Sequence, residues 1–229
     1  MKKKIKLLNP IDLNRKKLDN KTVNLINVDY NPKKAFDKIS IKSNSFIENS
    51  FKLAFKVIKE NNIHKFINGP ISKKTFLNKK FLGITEYISN KFFTNKTGML
   101  IYNKNLSVCP ITTHLPLKLV PKKINKKIIS EKIFLIDSFY KKNFNIKPKI
   151  ALLGLNPHCE TIHKYDEDEK IIKPCVKSLS NKYNISGPYS ADTIFLKKNR
   201  KKFDVIVGMY HDQVLTPLKT LFEYDAINI

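Results

Sequence analysis

The chain of 229 residues has no tryptophan, six glycines and three cysteines, and only two of its 44 basic residues, Arg15 and Arg200, are arginine. Three cysteines (Cys109, Cys159, Cys175), an odd number without CxxC spacing, fit reduced thiols better than a disulfide framework. The scarcity of glycine goes with the absence of GxGxxG, GxxxxGK[ST] and GxSxG segments. The dinucleotide fingerprint, the phosphate-binding loop and the hydrolase elbow are thereby excluded. The formal charge of +25 suggests nucleic acid at first sight. Specific phosphate and base recognition leans on the bidentate guanidinium, however, and here the charge is lysine spread along the chain, so no nucleic-acid partner is expected. No apolar run approaches the roughly 20 residues that cross a bilayer. No apolar signal core follows the basic Met1–Lys6. The expectation is a cytoplasmic protein with no membrane partner.

At 41% hydrophobic residues the chain can bury a core. Residues 1–43 are polar and weakly patterned, with Val23–Val28 a possible short strand; residues 44–229 carry the regular pattern. Helical spacing is expected over Ser43–Glu60, Ser72–Leu77, Thr85–Phe93, Asn125–Lys142, Lys170–Lys182 and Ser190–Leu196. Strands are expected at Lys65–Asn68, Met99–Tyr102, Leu106–Thr112, Ile150–Leu153 and Phe203–Tyr210, with another beginning at Ala226–Ile229. Strands alternating with helices predict an α/β fold with a mixed or largely parallel sheet. The weak start and the strand at the very end suggest a chain incomplete at both ends.

Three segments share one plan: an apolar strand, a short turn, then histidine. They end at His114, His158 and His211, three of only five histidines, spaced 44 and 53 residues apart. Ligands of open α/β sheets bind at the carboxyl ends of strands. Three imidazoles meeting there would make a divalent-metal site with room for substrate. A lone histidine in such a place is more often a turn or core residue; the repetition favours ligation. Asp212, directly after His211, either accepts from an imidazole or caps a helix, and Asp192 has the same two readings. Lys219 makes sense as a phosphate clamp if the histidine site exists. His64 and His163 read as surface residues, since the i, i+5 pair His158/His163 does not fit a zincin helix.

Taken together, Thr112-Thr113-His114-Leu115-Pro116-Leu117, Gly154-Leu155-Asn156-Pro157-His158, Gly187-Pro188 with Ala191-Asp192-Thr193, and Met209-Tyr210-His211-Asp212-Gln213 resemble the 4-hydroxythreonine-4-phosphate dehydrogenases of pyridoxal phosphate biosynthesis. The resemblance covers about residues 44–229. It implies a two-domain α/β architecture similar to isocitrate and isopropylmalate dehydrogenases. It also implies a homodimer with a shared active site and a divalent metal (zinc, magnesium or cobalt) on His114, His158 and His211. Substrate contacts fall on Thr85, Lys219 and Asn228, and Asp192 and Asp212 match acidic positions near the reacting carbon; the NAD contacts are left unassigned. The implied reaction is NAD-dependent oxidation and decarboxylation of 4-phosphohydroxythreonine to 3-amino-2-oxopropyl phosphate. Ile84 stands where the family has histidine, and Val214 where it has glycine. The first change favours a related substrate, 4-phosphoerythronate or 4-phosphothreonate; a truncated, inactive remnant is the other alternative.

Overall fold

The computed structural model describes residues 4–10, 13, 18, 21–32, 34, 37–78, 80–81, 83–92, 97–164 and 166–229. The chain forms two compact units, Met1–Ile88 and Ser89–Ile229. The 43/44 division read from the sequence falls within the first unit, at the start of its long helix.

In the first unit, β1 (Ile5–Leu7) pairs in parallel with β2 (Val23–Leu25), a strand pair that three-residue segments scarcely announce in sequence. Helix α1 (Asn44–Glu60) matches the expected span, and α2 (Lys73–Phe76) is capped by the Ser72 hydroxyl. Helix α3 (Ile84–Lys91) runs across the division between the units; the expected end at Phe93 lies outside the described residues. The strand expected at Lys65–Asn68 is not formed. Instead Phe66 turns into a ring cluster, 6.0 Å from Phe51 and 5.9 Å from Phe55, while Ile67 is left exposed. Phe51 also meets Phe76 and Tyr87. Aromatic packing therefore overrides the local β pattern here.

The second unit is built on a six-stranded sheet. Its strands are β3 (Ile101–Tyr102), β4 (Ser107–Thr112), β5 (Ile150–Leu153), β6 (Ile185–Tyr189), β7 (Val205–Tyr210) and β8 (Ile227–Asn228). The order is β6-β5-β7-β4-β3-β8; β4, β7, β5 and β6 are parallel, and β3 is antiparallel to both neighbours. The expected mixed, largely parallel sheet is thus observed. Strands β4, β5 and β7 are buried on both faces, as their unbroken apolar runs require.

Among the described residues the α-helices around this sheet include α4 (Val120–Lys123), α5 (Lys126–Phe144), α6 (Lys173–Leu179), α7 (Ala191–Ile194), α8 (Lys197–Arg200) and α9 (His211–Phe222). The period-two alternation of each strand sorts its side chains between two cores. Cys109, Ile111, Ile150, Leu152, Val205 and Val207 face α5 and α6. Val108, Ala151, Leu153 and Ile206 face α7 and α9. The helices that follow β4 and β5 lie on one face and those that follow β6 and β7 on the other. The helix side therefore changes between β6 and β5, between β5 and β7, and again between β7 and β4.

Candidate functional site

An open α/β sheet opens a crevice outside the carboxyl ends of strands whose following helices take opposite faces. That crevice lies at β5, β7 and β4, the strands that the three histidines follow. His211 is the first residue of α9 and His114 lies two residues past β4. His158 sits in a single-turn helix, Pro157–Cys159, after β5. Asp192 follows β6 at the same edge. Across the sheet the order Asp192, His158, His211, His114 repeats the strand order. Neighbouring strands lie about 4.8 Å apart, so the four residues follow adjacent strands at one edge of the sheet.

The described side chains form two pairs at this edge. The rings of His114 and His211 have centres 5.8 Å apart. Two imidazoles on one ion, with metal–nitrogen bonds of about 2.1 Å, place their ring centres roughly 5–6 Å apart, so this pair fits a common cation. His211 Nδ1 lies 2.8 Å from Asp212 Oδ1, which fixes the ring and leaves Nε2 as the outward donor atom. His158 Nδ1 lies 4.0 Å from Asp192 Oδ2, with both side chains more than half exposed. Among the described residues no group of three or more histidine, cysteine, aspartate or glutamate side chains stands close enough to hold a metal. Neither aspartate is a helix cap: the N-cap of α9 is Tyr210 and that of α7 is Ser190.

The remaining site residues lie elsewhere. Lys219, two turns into α9, sets its Nζ 5.5 Å over the Tyr224 ring. Asn228 pairs with Ile101, which pairs with Val108. That places Asn228 level with the start of β4, roughly 13 Å along the strand direction from its carboxyl end. Thr85 is an exposed residue in the first turn of α3, in the part of the helix that belongs to the first unit. His64 and His163 are exposed, as expected.

Several residues that build the edge carry little sequence signal. Asp168, read from sequence only as part of an acidic helix start, is fully buried. It accepts from Leu155 N at 2.8 Å and from Asn156 N and Nδ2 at 2.9 Å each. Three donors stabilise a buried carboxylate. They also pin the turn that carries His158, whose backbone takes a left-handed conformation, φ 56°. Such strain in a non-glycine residue costs about 1–3 kcal/mol and persists only where its surroundings impose it. Gly154 is required beneath this turn, because a Cβ there would meet Asp168 Oδ1 at 2.6 Å and Cys159 Sγ at 2.7 Å. The Thr112 hydroxyl donates to Met209 O at 2.7 Å, tying the end of β4 to that of β7. Gln213 accepts from Met209 N at 2.7 Å and donates to Gly154 O at 2.8 Å. Burial raises the Cys159 thiol above its usual value, only partly opposed by a hydrogen bond with Ser190. It is no thiolate nucleophile at neutral pH.

Comparison with known proteins agrees with this architecture. The family model described as pyridoxal phosphate biosynthetic protein PdxA matches residues 1–229. A 4-hydroxythreonine-4-phosphate dehydrogenase from Sulfurihydrogenibium sp. is 37% identical, over 99% of this chain and 73% of the relative. A D-threonate 4-phosphate dehydrogenase from Pectobacterium atrosepticum is 30% identical, over 77% of this chain and 58% of the relative. The crystal structure of 4-hydroxythreonine-4-phosphate dehydrogenase from Klebsiella pneumoniae superposes with a TM-score of 0.81 at 24% identity, covering 100% of this chain and 72% of that one. The likeness establishes the fold class expected from the sequence, that of the isocitrate and isopropylmalate dehydrogenases.

Proposed function

Because the chain belongs to the family of the pyridoxal phosphate biosynthetic protein PdxA, we propose that it serves an NAD- and metal-dependent oxidation and decarboxylation of 4-phosphohydroxythreonine. The product is 3-amino-2-oxopropyl phosphate. The observation that supports this reading is that His114, His158 and His211 each follow one of three adjacent strands at the same edge of the sheet, with the His114 and His211 rings 5.8 Å apart.

These three imidazoles are the proposed metal ligands, with Asp212 orienting His211 and Asp192 beside His158. Three nitrogen donors suit zinc or cobalt better than magnesium. A divalent ion held by these donors would supply Lewis acidity toward the substrate hydroxyl, and bound NAD would supply the hydride acceptor. Asp192 and Asp212 are the carboxylates placed to hold or pass the hydroxyl proton at this edge. The family resemblance alone assigns Lys219 to the phosphate and Thr85 and Asn228 to the polar substrate; Lys219 and Asn228 lie away from the histidine-bearing edge. The site is proposed to be completed in a homodimer. No described helix is long and apolar enough to cross a membrane.

The test is NADH formation and CO₂ release from 4-phosphohydroxythreonine with Zn²⁺ or Co²⁺. Turnover is expected, and is lost in His211→Ala. One observation favours a second substrate: Ile84 removes an imidazole that would meet the family's polar substrate, and one relative is named for D-threonate 4-phosphate. Turnover of the amine-free acid alone would replace the first reading by the second. Turnover of neither would leave the inactive-remnant reading.

A further inference from the structure

Gln213 makes two hydrogen bonds with different consequences. Its Oε1 accepts from Met209 N, four residues back, much as a third-position glutamine reaches back at a helix start. Its Nε2 donates to Gly154 O, the last peptide before the His158 turn and 59 residues away in sequence. The first bond is local to the start of α9. The second spans from β7 to β5 at the point where the helix side changes.

The surrounding structure is shaped around this side chain. A Cβ on Gly208 would stand 2.8 Å from Gln213 Oε1 and 2.5 Å from Val214 Cγ1, so the close approach of α9 to β7 needs glycine there. On the far side of the bridge, Asp168 accepts from the next two amides, Leu155 N and Asn156 N. The peptides leading to His158 are therefore held by their carbonyl from α9 and by their N–H groups from Asp168. His211 lies two residues before Gln213, on the same helical turn.

We infer that Gln213 is a positioning residue: it braces the exit of β5 against the start of α9 and so sets His158 relative to His211. This inference rests on the reading of those histidines as metal ligands. Gln213 acts through the two segments it joins, by its bonds to Met209 N and Gly154 O. A helix-start role alone would not need the bond to Gly154.

Gln213→Glu separates the two roles. It keeps an acceptor for Met209 N and places a carboxylate in the first turn of α9, which favours the helix. It has no donor for Gly154 O. Titration of the metal-free protein with Co²⁺, followed by the visible spectrum, is expected to show roughly 10- to 100-fold weaker binding and altered band shape, with some fall in Tm because a carboxylate oxygen then faces the Gly154 carbonyl. In a His158→Ala background the same change is expected to add little, because the effect passes through His158. Gln213→Met, which removes both bonds, is expected to weaken Co²⁺ binding at least as much and serves if the glutamate variant does not fold. Tyr140→Phe is the comparison. It removes a 2.8 Å bond to Ser107 at the opposite edge of the sheet and is expected to lower Tm without changing the Co²⁺ isotherm. Wild-type affinity and spectrum in both Gln213 variants would overturn the inference while leaving the metal site intact. Equal weakening by Tyr140→Phe would overturn it as a general stability effect. A wild-type protein that binds no Co²⁺ would overturn the metal reading itself, and this inference with it.

Discussion

Replacing Asp168 by asparagine changes one atom at the root of the His158 turn. The side chain is fully buried, with Oδ1 accepting from Leu155 N and Oδ2 from both Asn156 donors. An amide of the same shape would turn its oxygen toward the two Asn156 donors and leave its NH₂ facing the Leu155 N–H. One charge-assisted bond, worth about 1.5–3 kcal/mol, is lost and a donor is left opposed to a donor. The neutral amide is easier to bury than the carboxylate, which offsets part of that loss. The expected net destabilisation is about 2–3 kcal/mol. For a chain of this size that corresponds to a fall of roughly 4–12 °C in Tm. Chemical denaturation gives the free energy, and a metal titration on the same samples reads the consequence at His158, expected as weaker binding. A free-energy change under about 0.5 kcal/mol, the range of ordinary surface substitutions, would refute the account of Asp168 as the anchor of this turn.

Two further outcomes follow from the same structure. His158→Gly relieves a left-handed backbone costing about 1–2 kcal/mol, against a loss of about 0.5–1 kcal/mol from the added freedom of the unfolded chain. Its Tm should equal or exceed that of wild type while metal binding is lost; a large fall in Tm would contradict this. Burial pushes the Cys109 thiol from 9.0 and the Tyr140 hydroxyl from 10.0 up to about 12. The unfolded chain then holds fewer protons than the folded one at alkaline pH. This contribution to stability is complete below pH 9 and is lost as pH rises toward 12, at up to about 1.4 kcal/mol per pH unit for each group. Denaturant midpoints should agree at pH 7 and 8 and drop at pH 10; a flat profile would count against it.

Much of the site-bearing edge was legible because its signals are local. An apolar run that ends in a turn and a histidine places that histidine at a strand exit, and three such segments foretold His114, His158 and His211 on β4, β5 and β7. The bonds that organise this edge are not local. Thr112 reaches Met209 across 97 residues and Gln213 reaches Gly154 across 59, and neither leaves a pattern in sequence. Asp168 carried a misleading signal, since an acidic run before a helix is usually a solvated start, whereas here one carboxylate turns inward to three amides. Lys65–Asn68 failed as a strand because the Phe66 ring found a better partner in Phe51 than its backbone found in a ladder. β1 was missed because three residues are too few for a period to show.

The most direct test of the central claim is the stoichiometry of Zn²⁺ binding to the metal-stripped protein, measured alongside His114→Ala, His158→Ala and His211→Ala. The account predicts one ion per chain in the wild type and a marked loss of affinity in each single variant. Binding that is unchanged by all three substitutions, or absent from the wild type, would contradict it.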